Sequence, residues 1–132
     1  MDYLSFVIPC TPPSVNRRFT PRKGRPYSLS EDVKTFYDIV AFTAIQHGFT
    51  PLTGKLFAQV DIYRVADRGD IDNYGKALWD SLQGILYMKD SQIKRSVVTL
   101  HVDKKHPRTE VVVCAFRSDL YSITQEMGSR MK

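Results

Sequence analysis

A proline-rich stretch near the start of the chain limits its fold more than any other feature. Residues 9–27, PCTPPSVNRRFTPRKGRPY, contain five prolines. Proline lacks the backbone N–H that helices and central strands use, so this stretch can be neither. We therefore expect a long basic loop over 9–27. Loops of this length in compact domains are usually functional or disordered.

The sequence on both sides of this stretch has the periodicity of regular elements. Alternating or β-branched runs predict strands, and these are 3–8, 55–66, 96–102 and 109–116. Spacing of three and four predicts a helix capped by Ser28 or Ser30 that ends at His47, before Gly48. The same spacing predicts a second helix over 70–83, with Gly84 as its C-terminal cap.

This order of elements predicts the fold class. We expect a single small α/β (α+β) domain, a mixed β-sheet with two helices packed on it, over about residues 5–116. Residues 117–132 are polar and aperiodic, which predicts a flexible tail. The chain has no apolar run near the ~18 residues of a membrane helix and no basic start typical of a signal peptide. We therefore expect a cytoplasmic protein without a membrane partner.

The spacing of the cysteines and histidines argues against a zinc site. Cys10 and Cys114 lie far apart and form no CxxC pair, so we expect buried free thiols. The three histidines form no HxH or HExxH pattern.

The charge distribution favours a polyanionic partner. The net charge is +5, and two basic clusters flank an acidic middle that runs from Glu31 to Asp90. The basic residues are Arg17, Arg18, Arg22, Lys23, Arg25, Lys94, Arg95, Lys104, Lys105 and Arg108. A basic frame around an acidic centre suits DNA held against a cation, with both basic clusters gripping phosphates.

The acidic middle contains RGDIDNYGKALWD at residues 68–80. On a helix, Asp72, Lys76 and Asp80 form a stripe opposite the apolar residues. By itself this stripe is what a solvated helix face held by ion pairs shows, and that interpretation stays open.

Asp70 favours a second interpretation, a metal site. It precedes Asp72 by two residues, so the two carboxylates can converge where the chain enters the helix. Carboxylates held close together favour a hard cation such as Mg²⁺. Lys76, one turn further on, is placed to hold a phosphate, and Asp90 is the best candidate for a third acid.

Three motifs together resemble the RusA family of Holliday-junction resolvases, common in phages and prophages. They are PPSVNRRF (12–19), DIDNYGKALWDSL (70–82) and KDSQI (89–93), and the resemblance covers about residues 5–115. It implies a homodimeric endonuclease, dependent on Mg²⁺ with Mn²⁺ as a substitute and needing no nucleotide cofactor. It implies paired nicks in opposed strands of a four-way junction, in DNA recombination and repair.

The resemblance also implies roles for individual residues. Asp70, Asp72 and Asp90 match the family's essential metal-binding aspartates, and Lys76 matches its essential lysine. Asn73 and Asp80 occupy recurrent motif positions with a supporting role. The resemblance also places Asn16 close to the metal site or the DNA. The charge distribution adds the other expected DNA-binding residues, Arg17, Arg18, Arg22, Lys23, Arg25, Lys94 and Arg95.

One departure from the family and two alternative functions stay open. Lys89-Asp90 stands where the family often has two adjacent aspartates, which makes the role of Asp90 less secure. The alternatives are a broader nuclease that cuts flaps or forks, and a non-catalytic junction-binding protein whose acids only stabilise a helix.

Overall fold

The computed structural model describes residues 3–13, 19–22, 25–29, 31–67 and 72–117. These residues form a four-stranded mixed sheet, two α-helices and a separate two-stranded sheet. The elements are β1 (Tyr3–Ile8), β2 (Phe19–Arg22), β3 (Arg25–Leu29), α1 (Glu31–His47), β4 (Leu56–Arg64), α2 (Asp72–Leu82), a 3₁₀ helix (Asp90–Gln92), β5 (Ile93–Val102) and β6 (Arg108–Ala115). The predicted α+β class is confirmed.

The order of strands in the main sheet is β1-β6-β4-β5. β6 lies antiparallel to both β1 and β4, whereas β4 and β5 are parallel. A parallel pair needs a crossover connection, and α2 lies within that connection. α2 therefore links the end of β4 to the start of β5.

Both helices contribute to the core on one face of the sheet. Buried residues from β4, α1 and α2 meet there: Leu56, Ala58, Val60, Ile62, Phe36, Val40, Leu78 and Leu82. On the other face a small apolar cluster forms around Phe57 and Cys114. Alternation along β4 separates the two sets, because successive strand residues point to opposite faces.

Part of the predicted loop over 9–27 is a hairpin, so the loop prediction is wrong there. β2 and β3 pair antiparallel, with Phe19 opposite Leu29. Each strand of a two-stranded ribbon has an unpaired side, where a missing N–H costs nothing. The register shifts between Thr20 and Arg22, the position of Pro21.

The helix ends agree with the glycine predictions. Gly48 and Gly84 adopt positive φ angles of 65° and 82°, which glycine tolerates without strain. α1 begins at Glu31, and Ser28 pairs with Thr20 in the hairpin. Ser28 is therefore not the helix cap, whereas Ser30, the other predicted cap, lies outside the described residues.

Several predicted boundaries move by two or three residues. β5 begins at Ile93 rather than 96, and β4 ends at Arg64 rather than 66. α2 is described from Asp72 onward, because residues 68–71 lie outside the described part of the chain. The predicted tail also lies outside it, apart from Arg117.

The cysteines are free, as predicted. Cys114 is buried and Cys10 is partly buried. Burial raises the pKa of the Cys10 thiol to about 11, and burial also raises the pKa of Cys114. Neither helix of the described chain is long and apolar enough to span a membrane.

Leu78→Ala tests the packing of α2 on the sheet. Leu78 is fully buried, so we expect a loss of about 2–5 kcal/mol in the free energy of unfolding. Ile45→Ala on α1 is the matched control, because Ile45 is 78% exposed and its truncation should change stability by less than about 0.5 kcal/mol. Urea unfolding followed by circular dichroism measures both, and equal losses would contradict the described packing.

Candidate active site

α2 carries the acidic stripe expected from the sequence. Asp72 is its first residue, and Lys76 and Asp80 follow at intervals of four, which places all three on one side of the helix. Lys76 Nζ lies 3.4 Å from Asp80 Oδ1. Asp70 lies outside the described residues, as do the side chains of Asp72 and Asn73.

Asp80 is less exposed than a solvated stripe requires. Its side chain is 14% exposed, whereas that of Lys76 is 52% exposed. The interpretation of the stripe as a fully solvated helix face, which the sequence left open, therefore does not describe Asp80. The reason is that the chain after α2 folds back on the helix, where the Tyr87 hydroxyl donates a 2.7 Å hydrogen bond to the Trp79 carbonyl. The stripe is therefore partly covered at Asp80 and half-exposed at Lys76.

Asp90 approaches the stripe from the end of α2. It is exposed, and its backbone N–H donates to Gln83 Oε1 at 3.2 Å. Gln83 follows Asp72 by 11 residues, or about 16 Å of helical rise. Asp90 is therefore linked, through the Gln83 side chain, to the C-terminal end of the helix that Asp72 begins.

Tyr87 lies within the electric field of two of these carboxylates. Burial raises the pKa of the Tyr87 hydroxyl, and the charges of Asp90 and Asp80 raise it further. The end of a helix adds partial negative charge of its own. The C-terminal end of α2 therefore has two carboxylates near it, and carboxylate oxygens are the ligands that Mg²⁺ takes. Within the described residues, no group of three or more such ligands lies close enough together to hold a metal ion.

Arg64 is a residue that the sequence interpretation missed. It ends β4 with a buried guanidinium group, whose Nη2 lies 2.7 Å from Asp67 Oδ1. The pKa of the Arg64 guanidinium group is raised, mainly by a hydrogen bond with Tyr74 and further by one with Asp67. Arg64 thus connects the end of β4 to the first turns of α2, on either side of residues 68–71. The sequence did contain a signal for the burial of Arg64. Every second residue of β4 is buried, and Arg64 continues this alternation from Val60 and Ile62.

A cleft of about 460 Å³ adjoins the first turns of α2. Tyr74 contributes to one side, and the chain after β1 and the first half of α1 form the others. Its lining residues are Cys10, Thr11, Pro12, Pro13, Asp32, Thr35, Phe36, Ile39 and Tyr74. The lining mixes aromatic, aliphatic and polar groups, and the cleft is open to the surface.

Comparison with known proteins decides the family. The sequence matches the model of the endodeoxyribonuclease RusA family over residues 9–114, most of the chain and all of the acidic stripe. This chain belongs to the RusA endodeoxyribonuclease family. It is also 30% identical to the uncharacterized protein YqaN of Bacillus subtilis strain 168, over an alignment of length 141 that covers 86% of this chain and 96% of that one.

The DNA-binding residues predicted for this RusA-family chain divide into two groups. Lys94 and Arg95 are exposed at the start of β5, an edge strand, immediately after the 3₁₀ helix that Asp90 begins. Arg22 and Arg25 face each other across the β2–β3 ribbon, and their side chains lie outside the described part. Asn16, Arg17, Arg18 and Lys23 lie wholly outside it.

Arg108, a third member of the basic 94–108 cluster, is paired with two carboxylates. Its Nε lies 2.7 Å from Glu110 Oε2 and its Nη1 2.9 Å from Asp103 Oδ2. Its guanidinium carbon also lies 3.7 Å from the centre of the Tyr63 ring. Two carboxylates already balance the charge of Arg108, so within the 94–108 cluster Lys94 and Arg95 are better suited than Arg108 to bind phosphates.

Tyr87→Phe tests the contacts at the end of α2. Removing the hydroxyl leaves the Trp79 carbonyl without that donor, so we expect a loss of about 1 kcal/mol in the free energy of unfolding near pH 7. The raised pKa means that the folded protein holds the Tyr87 proton more tightly than the unfolded chain does. This contribution is complete below pH about 10, the ordinary tyrosine pKa, and is lost as pH rises above it.

Urea unfolding from pH 7 to 11 measures this effect. The stability difference between wild type and Tyr87→Phe should shrink above pH 10. Tyr3→Phe is the control, because Tyr3 is 61% exposed. A difference that stays constant to pH 11 would contradict the raised pKa.

Proposed function

We propose that this protein is a divalent-metal-dependent endodeoxyribonuclease that resolves four-way DNA junctions by paired nicks in opposed strands. The observation that carries the proposal is the family match over residues 9–114, which contains every proposed catalytic residue. The site supports it, since carboxylates, a lysine and exposed cations occur along α2 and at the start of β5. The bacterial source of the relative supports a bacterial host, and encoding by a phage or prophage is proposed from the family resemblance alone.

The proposed metal ligands are Asp70 and Asp72 at the start of α2 and Asp90 beyond its end. Bound Mg²⁺, or Mn²⁺ in its place, supplies Lewis acidity and an activated water for phosphodiester hydrolysis. The fit rests on donor chemistry, because all three proposed ligands are carboxylates, whose oxygens Mg²⁺ takes as ligands. A cation held by them would relieve their mutual repulsion.

The other residues position the DNA and stabilise its charge. Lys76, half-exposed beside Asp80, is placed to donate to a phosphate oxygen or to the departing 3′-oxygen. Asp80 holds the Lys76 ammonium group in place from one turn further along the helix. Asn73, next to Asp72 in the chain, is a proposed supporting residue. Because Lys94 and Arg95 follow Asp90 closely in the chain, they are suited to hold the phosphates on either side of the scissile bond.

A two-fold junction calls for two active sites. Paired nicks in opposed strands need two copies of the site related by two-fold symmetry, which an isologous homodimer supplies. We therefore propose a homodimer as the active form, with no nucleotide cofactor and no membrane partner.

Asp72→Asn is the decisive test of catalysis. We expect nicking of a labelled synthetic four-way junction in Mg²⁺ to fall at least about 100-fold, the order of loss seen when a charge-stabilising group is removed from an active site. Junction binding in EDTA should persist, because the substitution removes a negative charge. Asp38→Asn, at an exposed aspartate of α1, is the control and should cut as wild type does.

Each alternative function has its own result in this assay. Equal cutting by Asp72→Asn and wild type would show that the stripe only stabilises the helix. Binding without cutting by wild type would favour a junction-binding protein, and equal rates on flaps, forks and four-way junctions would favour a broader nuclease.

The double variant Lys94→Ala/Arg95→Ala tests the DNA contacts. Each phosphate contact adds about 0.9 to the slope of log affinity against log salt for duplex DNA, so the slope should fall by about 2. Lys34→Ala is the control, because Lys34 lies on α1 rather than β5. Its ammonium nitrogen lies 3.7 Å from Glu31 Oε1, so its charge is already paired within the protein. Titrations from 50 to 200 mM salt measure the slope, and an unchanged slope would exclude both residues from the DNA surface.

A further inference from the structure

The chain segment that carries Asp90 is held by glutamine side chains. Gln92 Oε1 accepts hydrogen bonds from the backbone N–H groups of Met88 at 2.9 Å and Lys89 at 3.0 Å. Gln83 Oε1 accepts the N–H of Asp90 itself at 3.2 Å. Three consecutive backbone N–H groups thus donate to side-chain amides rather than to a helix or a sheet.

The same Gln92 side chain reaches a second segment of the protein. Its Nε2 donates to the carbonyl groups of Leu52 and Gly54, both at 3.0 Å. One carboxamide therefore makes four hydrogen bonds and joins the turn at 88–90 to the loop before β4. The Leu52 N–H adds a 2.8 Å bond to the Leu86 carbonyl, which aligns the two segments.

Apolar packing cannot fix the position of Asp90. Met88 is 63% exposed, and Lys89, Asp90 and Ser91 are exposed as well. The 3₁₀ helix that begins at Asp90 spans only three residues. With little burial over 88–91 and only one short helical turn, the backbone at Asp90 is held by the bonds made by Gln92 and Gln83.

We propose that Gln92, assisted by Gln83, is a positioning residue that sets the geometry of Asp90 and thereby the affinity of the site for a divalent cation. This inference rests on the proposed role of Asp90 as a metal ligand. Mg²⁺ demands near-ideal octahedral geometry, so a ligand on a loosened turn binds it less well. Loss of groups that orient metal ligands typically costs 10–100-fold in metal affinity.

Direct binding of Mn²⁺ to the purified protein, followed by electron paramagnetic resonance of the free ion, tests the proposal. We expect Gln92→Met to raise the Mn²⁺ dissociation constant about 10–100-fold. Gln83→Met, which removes only the acceptor for the Asp90 N–H, should raise it by a smaller factor. Gln46→Met, at an exposed glutamine of α1, is the matched control and should bind as wild type does.

Two further measurements separate positioning from loss of fold. Circular dichroism reports the folded fraction, and if Gln92→Met does not fold, Gln83→Met decides the outcome. The Mg²⁺ concentration for half-maximal nicking should rise with the dissociation constant, and nicking at saturating Mg²⁺ should recover. A structural role alone would lower the maximal rate and leave that concentration unchanged.

The results also distinguish this proposal from the proposed function. If Asp90→Asn weakens Mn²⁺ binding while both folded glutamine variants bind as wild type does, the positioning role is overturned and the metal site stands. If wild type binds no Mn²⁺, the metal-dependent function fails, and the positioning role fails with it.

Discussion

Parallel strands cannot be joined by a tight turn, so the pairing of β4 with β5 obliges the chain to cross the sheet between them. α2 is the helix of this crossover. Burial of Leu78 and Leu82 against the sheet fixes the rotation of the helix about its axis, which leaves Asp72, Lys76 and Asp80 on a different side. After α2 the chain must return to the start of β5, and this return brings Asp90 to the end of the helix. The candidate site is thus a consequence of the crossover.

The charges at this site oppose stability. Asp80 is only 14% exposed, has Lys76 as an ion-pair partner, and lies near the carbonyl end of a helix, where negative charge is unfavourable. Asp90 adds a second carboxylate that acts on the same buried tyrosine. A helix selected for stability alone would place cations at this end. Such departures from local preference are expected at functional sites.

Polar side chains rather than apolar packing fix the backbone around the proposed ligands. Arg64 joins the end of β4 to the early turns of α2, and Gln92 joins the Asp90 turn to the loop before β4. Both make several directional bonds, which specify orientation better than apolar contact does. Polar contacts also hold side chains on the opposite face of the sheet. There Arg108 pairs with Asp103 and Glu110, and its guanidinium group lies over the Tyr63 ring. That network removes a cation from the surface that the sequence assigned to DNA.

The sequence by itself determined the elements of the main sheet, both helices, the glycine caps, the family and the stripe on α2. The family follows from the resemblance of three motifs, and the other features follow from patterns within one segment, where neighbours in the chain are neighbours in space. Only the tertiary structure decided that Asp80 is partly covered, that Asp90 is linked to the end of α2 through Gln83, and that Arg108 is paired with two carboxylates. It also decided that strands form within the proline-rich stretch. Burial and charge pairing depend on contacts such as that of Tyr63 with Arg108, which join residues far apart in the chain and which no local pattern records.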